Sequence, residues 1–325
     1  MPASPAVTSR AASAGDTAWP KVSIVTPSFN QGPYIEETIR SVLMQDYPNL
    51  EYVIIDGGST DETVSIIRKY EASLTYWVSE PDRGQTHAIN KGFGHTTGEI
   101  LCYINSDDIL LPGALREVVK QFRQQHRPTL VCCSGQYFGS GVDQVMGARA
   151  TEDGSPRPWA PPDAPRLTDW LTTHTSLLQQ STFWNRKLHT ALGGFPEAFN
   201  FCFDKDFFLR AIFEQQAYIA CPSILAAGHR MHSEMKTATI PDVMIRENET
   251  IWRHYTPLPW AQRLLERERR AQRAQELMAS CLDHRGLAAR LKCLATSAFL
   301  WPRVMNQRMF WGAVRRTLSL RAQLP

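Results

Sequence analysis

Two adjacent carboxylates, Asp107 and Asp108, follow Asn105-Ser106 at the end of a strand-like apolar run, Ile100-Leu101-Cys102-Tyr103-Ile104, just ahead of a Pro112-led helix. In open α/β sheets, ligands gather at the carboxyl ends of strands. Paired acids there suit a hard divalent cation that also holds phosphate oxygens, which implies metal-assisted work on a phosphorylated or nucleotide-bearing substrate. Turn and cap chemistry competes as the explanation of any one such motif. Three more strand ends carry polar residues of the same kind. The first run leads to Pro27-Ser28-Phe29-Asn30, where Phe29 offers a ring face to a planar base and Ser28 and Asn30 offer hydrogen bonds. The second ends at Asp56-Gly57-Gly58, a carboxylate acceptor followed by glycines that let backbone approach closely. The third leads to Asp82-Arg83-Gly84-Gln85, an acceptor and a cation beside a tight turn. Turn chemistry explains each singly and the recurrence poorly; four converging strand ends describe a nucleotide crevice. No GxGxxG follows the first strand and no GxxxxGK[ST] occurs, so a dinucleotide fingerprint and a P-loop are both missing. Phosphate is left to metal and side chains.

The elements that must position these residues alternate. Strands are expected at Val22–Thr26, Tyr52–Ile55, Leu74–Val78, Ile100–Ile104 and Leu130–Ser134. Between them lie helical patterns: Ile35, Ile39, Val42 and Leu43; then Val64, Ile67 and Tyr70, capped by Thr60; then one through Ala88-Ile89. Such alternation predicts a mainly parallel sheet covered on both faces. The regularity breaks after Tyr137, and the Pro-rich stretch 151–166 reads as an irregular excursion. A mixed section follows from about Leu167 to Glu249, with a strand at Ser181–Trp184 and a helix around Phe207–Phe213.

Taken together, Pro27-Ser28-Phe29-Asn30-Gln31, Ile54 to Asp61, Glu80 to Gln85 with Ala88 to Gly92, and Asn105 to Asp108 resemble the successive motifs of family 2 glycosyltransferases. The resemblance is close over residues 21 to about 125 and fainter to about 237. It implies an inverting enzyme of the GT-A fold: a Rossmann-like, mainly parallel sheet with helices on both faces, here followed by a C-terminal helical extension. It implies a nucleotide-sugar donor, UDP-linked by preference, a divalent cation (Mn²⁺ or Mg²⁺) and a saccharide or lipid-linked acceptor hydroxyl. Ser106-Asp107-Asp108 resembles the family's DXD element with Asn105-Ser106 where an acid is usual. On that resemblance Asp108 is the principal metal ligand, Asp107 a ligand or ribose contact, and His232 a further member of the metal shell. Pro27, Phe29 and Asp56 line the base pocket; Ser28, Asn30, Gly58, Arg83, Gln85 and Ser106 belong to the donor site, with Asp82 and Asn90 nearer ribose and sugar. The segment Phe203 to Arg210 is similar to the one that carries the general base, which makes Asp204 the base and Asp206 its alternative or a cap. Gln180 and Trp184 fall beside the acceptor cleft, and Arg230 and Lys236 neutralise the diphosphate. A sugar-nucleotide nucleotidyltransferase needs a Gly-rich signature with Arg and Lys after the first strand, which Pro27-Ser28-Phe29-Asn30 is not. A non-catalytic nucleotide-sugar binder is disfavoured by Asp108 and Asp204.

The expected organisation is a disordered Ala/Ser/Pro-rich leader (1–20), a catalytic domain (21–250, donor half 21–138, acceptor half 139–250) and a basic helical tail (251–325). Residues 257–325 carry a net charge of +9 and the preceding residues −6. Trp301, Phe310 and Trp311 beside Arg303, Arg308, Arg315 and Arg316 suit a helix lying on an anionic bilayer; a helical cap on the catalytic domain is the competing view. No nucleic-acid motif accompanies the charge. Seven cysteines without CxxC spacing support neither a zinc site nor a disulfide framework. The protein is therefore expected to be cytoplasmic, peripheral on the inner face of the membrane if the tail binds lipid.

Overall fold

A computed structural model describes residues 19–123, 127–139, 157–159, 178–232, 236, 241–255, 259–281, 287–300, 311 and 314. The first half alternates as expected: β1 (Val22–Ser28), α1 (Gly32–Leu43), β2 (Leu50–Asp56), α2 (Thr63–Lys69), β3 (Tyr76–Ser79), α3 (Gln85–Gly94), β4 (Ile100–Tyr103), β5 (Ile109–Leu110), α4 (Ala114–Lys120), β6 (Thr129–Cys132) and β7 (Ser134–Phe138). Then come β8 (Arg157–Trp159), β9 (Thr182–Asn185), α5 (Arg186–Leu192), α6 (Phe203–Phe213), β10 (Tyr218–Ala220), β11 (Leu225–Arg230), α7 (Pro241–His254), α8 (Pro259–Ser280) and α9 (Leu287–Leu300).

Seven strands form one sheet in the order β10-β6-β9-β4-β1-β2-β3. Every pairing in it is parallel except those of β9, which runs antiparallel to both β4 and β6. Because strand side chains alternate, each strand feeds two cores. Val25, Val53, Ile55, Leu101 and Tyr103 point to a face covered by α3, α6 and α7. Ile24, Tyr52, Ile54, Ile100 and Cys102 point to the opposite face, covered by α1, α2 and α4. The all-buried β1 and β4 are what a central strand with helices on both sides requires.

A second sheet, β5-β11-β7-β8, was not legible in the sequence. Its β11 runs parallel to β7 and antiparallel to β5, directly after the Asp107-Asp108 turn. Arg157–Trp159, inside the stretch read as irregular, pairs antiparallel with β7. Asp61 rather than Thr60 serves the start of α2, accepting the Thr63 amide at 3.0 Å and the Gly32 amide at 2.9 Å.

The boundary expected at residue 250 falls within α7, whose Ile251 and Trp252, with Tyr255 just beyond, lie in the main core. Leu265 of α8 joins that core too, whereas Met278, Cys281, Cys293 and Leu294 form a separate small cluster between α8 and α9. Among the described residues, no helix is long and apolar enough to cross a membrane. The expected leader, apart from Trp19 and Pro20, and Trp301, Arg303, Arg308, Phe310, Arg315 and Arg316 lie outside the described residues.

Candidate active site

Four strand ends meet at one rim, and a carboxylate organises the turns after β2, β3 and β4. Asp56 is completely buried at the end of β2; it accepts the Gly58 and Ser59 amides at 3.1 and 2.9 Å and the Ser79 hydroxyl at 2.6 Å. Those bonds hold Gly58 at φ +85°, a conformation glycine adopts without strain. Asp56 and Gly58 thus shape the rim, whereas the sequence reading has Asp56 touching the base. Asn30 likewise is spent on structure: its amide donates to the Ser59 hydroxyl and its side-chain oxygen accepts from the Thr60 amide, tying the β1 turn to the β2 turn. Pro27 is buried inside β1, in register with Ile55.

Phe29, Gly57 and Asp82 come together at this rim. Phe29 is 57% exposed, an unusual cost for a large aromatic unless something covers it. A Cβ on Gly57 would lie 2.8 Å from Asp82 Oδ2 and 3.4 Å from Phe29 Cδ2, so the three converge. The Ser28 hydroxyl is buried and has no protein partner. Arg83 pairs instead with Glu197 at 2.7 Å, and Asn90 makes two hydrogen bonds with the Phe195 backbone at 2.8 and 3.0 Å. Both residues join the two halves of the chain and are engaged away from Phe29.

The Asp107-Asp108 turn divides its labour in the opposite sense to the sequence expectation. Asp108 is 0% exposed. Its Oδ1 accepts the Arg230 amide and meets His229 Nδ1, both at 2.9 Å; its Oδ2 accepts Gln180 Nε2 at 2.6 Å and Asn105 Nδ2 at 3.1 Å. A carboxylate has about four acceptor positions, and all are taken by protein. Burial alone raises the Asp108 pKa, but His229, Gln180 and the Arg230 amide outweigh it and hold the group below its ordinary value. The same contact raises His229 against the effect of burial. Asp108 is therefore a post that fixes β11 under the turn, and Gln180 donates to that post. Ser106 is buried, and its carbonyl, like that of Asp108, accepts the Thr38 hydroxyl.

Asp107 is the outward member. Its Oδ2 meets His232 Nε2 at 3.0 Å, and the imidazole rests against the Tyr34 ring at 4.6 Å. Burial and the adjacent Asp108 charge raise the Asp107 pKa. Arg230 braces this pair: its Nε donates to the Asp107 carbonyl at 2.8 Å, its guanidinium reaches Glu37, and it lies over Phe138 at 4.5 Å. Those contacts make Arg230 a strut between the turn, α1 and β7.

The other acid stands across the rim at the start of α6. Asp204 falls in the first turn of the helix, not ahead of it, and takes the Lys205 amide at 2.7 Å. Desolvation lifts it to a pKa of about 6, against weaker opposing pulls from Lys205 and Lys236. The Tyr103 hydroxyl, at the end of β4, is pushed up by burial and then by the charges of Asp204, Cys102 and Asp108. Asp206, the alternative base, is held by Arg210 at 2.6 Å, and Arg210 also donates to the Leu192 and Gly194 carbonyls. A relay of hydrogen bonds links the two acidic sites: Lys236 Nζ donates to the Asn200 carbonyl and to Gln85, Gln85 to Asn105, and Asn105 to Asp108. Trp184, expected at the acceptor cleft, is 0% exposed and packs among Phe93, Phe195 and Phe207 in the core.

Residues 23–191 match the model of "Glycosyl transferase family 2", over half the chain. The chain belongs to this family. Among curated proteins, this glycosyltransferase is 29% identical over 197 residues to an uncharacterized glycosyltransferase of Mycobacterium tuberculosis, covering 60% of this chain and 70% of that one. It is 30% identical over 131 residues to the poly(ribitol-phosphate) β-N-acetylglucosaminyltransferase TarS of Staphylococcus aureus, spanning 39% of this chain and 23% of TarS. Residues 1–349 of TarS, solved in complex with UDP-GlcNAc, superpose with a TM-score of 0.57 at 16% identity, covering 85% of this chain and 81% of that one. The mannosyltransferase PcManGT of Pyrobaculum calidifontis, solved with GDP-Man and Mn²⁺, gives a TM-score of 0.56 at 21% identity, covering 93% and 88%. At these identities the structural likeness speaks to the fold, which is the GT-A architecture expected from the motifs.

Sequence reasoning missed His229 and Glu247. His229 immediately precedes Arg230, but only its place on β11 reveals that it faces Asp108. Glu247 has no local signature at all.

Proposed function

We propose that this glycosyltransferase moves a sugar from a nucleoside diphosphate, a UDP-sugar by preference, to a hydroxyl of a saccharide or lipid-linked acceptor, with inversion at the anomeric carbon. The observation that carries the reading is the convergence of an exposed aromatic ring, Phe29, with Gly57 and Asp82 at the strand ends, in a chain that also holds a desolvated carboxylate, Asp204, at the start of α6. The nucleobase lies against Phe29, with the Ser28 hydroxyl and Asp82 as its hydrogen-bonding neighbours.

Among the described residues no cluster of three His, Cys, Asp or Glu side chains forms a ready-made cage. The donor set still fits a small hard cation, which is normally held by one or two carboxylates plus substrate phosphates. Asp107 and His232 are the residues that would hold it: an outward carboxylate with an adjoining imidazole whose other ring nitrogen is buried without a partner. A bound Mn²⁺ or Mg²⁺ supplies positive charge to the diphosphate. Asp204 takes the proton of the acceptor hydroxyl as its oxygen forms the bond to the anomeric carbon; the bond to the diphosphate breaks, and its electron pair leaves with the nucleotide. General-base help of this kind is typically worth about 10² to 10⁴ in rate. A pKa of about 6 leaves Asp204 ionised at neutral pH yet more basic than an ordinary carboxylate.

The same proposal extends to the tail. Phe299 is 85% exposed and Trp311 52% exposed, on a segment of net positive charge, which favours a peripheral position on an anionic membrane surface. The anchoring of α8 to the core through Leu265 would keep the catalytic rim near that surface.

Calorimetric titration of UDP, GDP and dTDP with and without Mn²⁺ tests the donor site. Metal-dependent binding of one nucleotide is expected, and no binding by any of them refutes the reading. Asp204→Asn should keep nucleotide binding and lose turnover. In flotation with anionic liposomes, the full chain should partition with the vesicles; equal partitioning of a 1–256 truncation would remove the membrane argument.

A further inference from the structure

Asp204 owes its position to a carboxylate that the family-matched residues do not contain. The turn 200–202, which leads into α6, presents three successive backbone N–H groups to Glu247 of α7: Oε1 accepts the Asn200 amide at 2.7 Å, and Oε2 accepts those of Phe201 and Cys202 at 2.8 and 2.9 Å. Charge-assisted bonds of this type are among the stronger ones in proteins. Cys202, the N-cap of α6, provides no side-chain cap of its own. The next residue of α7, Asn248, accepts Lys205 Nζ, and Trp252 one turn later lies 3.8 Å beneath that ammonium. Two turns of α7 thus hold the chain on both sides of Asp204.

We infer that Glu247 is a positioning residue for the transfer reaction, fixing the 200–202 turn so that the Asp204 carboxylate meets the acceptor hydroxyl. The inference rests on Asp204 being the base. It follows from scale: misplacement of a reacting group by about 1 Å can cost roughly 10²-fold in rate. A turn of three orphan amides without its carboxylate has that freedom. Nucleotide binding, built on Phe29, Gly57, Asp82 and the Asp107 turn, involves none of these bonds.

The test compares Glu247→Ala, Glu247→Gln and Asp204→Asn in the full chain. Nucleotide release with water as acceptor is measured on the most active member of a panel of UDP-, GDP- and dTDP-sugars with Mn²⁺, and UDP affinity by calorimetry. Glu247→Ala should lower kcat by about 10- to 100-fold while donor KM and UDP Kd stay within about twofold. Glu247→Gln keeps one carbonyl oxygen for the Phe201 and Cys202 amides and should recover most of the loss. Full kcat in Glu247→Ala, or parallel losses of kcat and UDP affinity, overturns the assignment. If the alanine variant does not fold, Glu247→Asp, whose shorter side chain cannot reach all three amides, takes its place: full kcat there overturns the assignment, and a reduced kcat with intact UDP affinity supports it. Asp204→Asn separates the two claims: if it retains turnover, the base reading fails and takes the Glu247 inference with it. If it is inactive while Glu247→Ala is fully active, only the positioning role is lost.

Discussion

The division between Asp107 and Asp108 yields the sharpest prediction, because neighbouring alanine substitutions should fail in opposite ways. Asp108→Ala removes a fully buried acceptor from four donors: His229 Nδ1, the Arg230 amide, Gln180 Nε2 and Asn105 Nδ2. Breaking a buried charged network from one side costs about 3–5 kcal/mol. In a domain of this size each kcal/mol lowers the melting temperature by about 2 °C, so a fall on the order of 5–10 °C is expected. Asp107→Ala removes a partly exposed group whose only described side-chain partner is His232, and should cost about 1 kcal/mol or less. The ligand readout reverses the order. Calorimetry with UDP and Mn²⁺ should show the metal-dependent part of the affinity abolished in Asp107→Ala. In Asp108→Ala it should be weakened only as far as the β11 anchor has loosened. Differential scanning calorimetry and the titration can be run on the same preparations. If Asp108→Ala melts with the parent and loses the metal-dependent affinity while Asp107→Ala keeps it, the hydrogen-bond argument is refuted and Asp108 returns as the principal ligand.

Phe29→Ala should weaken UDP binding by about 1–3 kcal/mol, the usual worth of one base–aromatic stack, with little change in melting temperature because the ring is largely exposed; unchanged affinity would move the base elsewhere. The pH dependence of kcat/KM should show an acidic limb, activity rising with pH through about 6 as Asp204 loses its proton, and that limb should be absent from the residual rate of Asp204→Asn. His189 sits among Phe93, Phe195 and Phe207 with its pKa lowered by burial to about 4. Its folded value lies below the unfolded one, so its stabilisation is complete above pH 6.5 and is lost as pH falls toward 4, to a limit of roughly 3 kcal/mol. Urea titrations of the parent and His189→Phe at pH 7.5 and 5 should diverge only at the lower pH; parallel loss would assign the acid sensitivity to other groups.

The parallel core was legible because its signals are local. Val22–Thr26, Tyr52–Ile55 and Ile100–Ile104 are buried apolar runs that need no distant partner to be recognised as strands, and the helices between them repeat at 3.6 residues. The site residues were legible as a set, but the part each one plays in the rim was not. Asp56, Asn30, Asn90, Gln180 and Asp108 all stand at the rim, but a polar residue there either faces the ligand or braces the turn that does. Sequence does not say which, since the difference lies largely in partners 23 to 122 residues away, such as Ser79 for Asp56, Phe195 for Asn90 or Arg230 for Asp108. The second sheet escaped for the same reason: β5 has two residues, and β11 reads Leu-Ala-Ala-Gly-His-Arg, without the alternation that marks a strand. Trp184 sits in a run, Thr182 to Asn185, that is buried on both faces, so its type alone favoured neither core nor cleft.

The antiparallel β9 bears on how the polypeptide can be divided. It occupies the slot between β4 and β6, and the chain reaches it only after passing through residues 139–181. A fragment ending at residue 138 would have β1 to β4 assembled and β6 stranded, with a gap one strand wide in the middle of the sheet and two unsatisfied edges facing it. Residues 21–138 are consequently not a module that ribosomal synthesis can finish first and hand on. The strand that closes the gap comes from residues 182–185, and β10 joins the same sheet later still, so both stretches are committed to a single cooperative folding event. Recombining portions of related chains should succeed only when the crossover lies beyond Asn185.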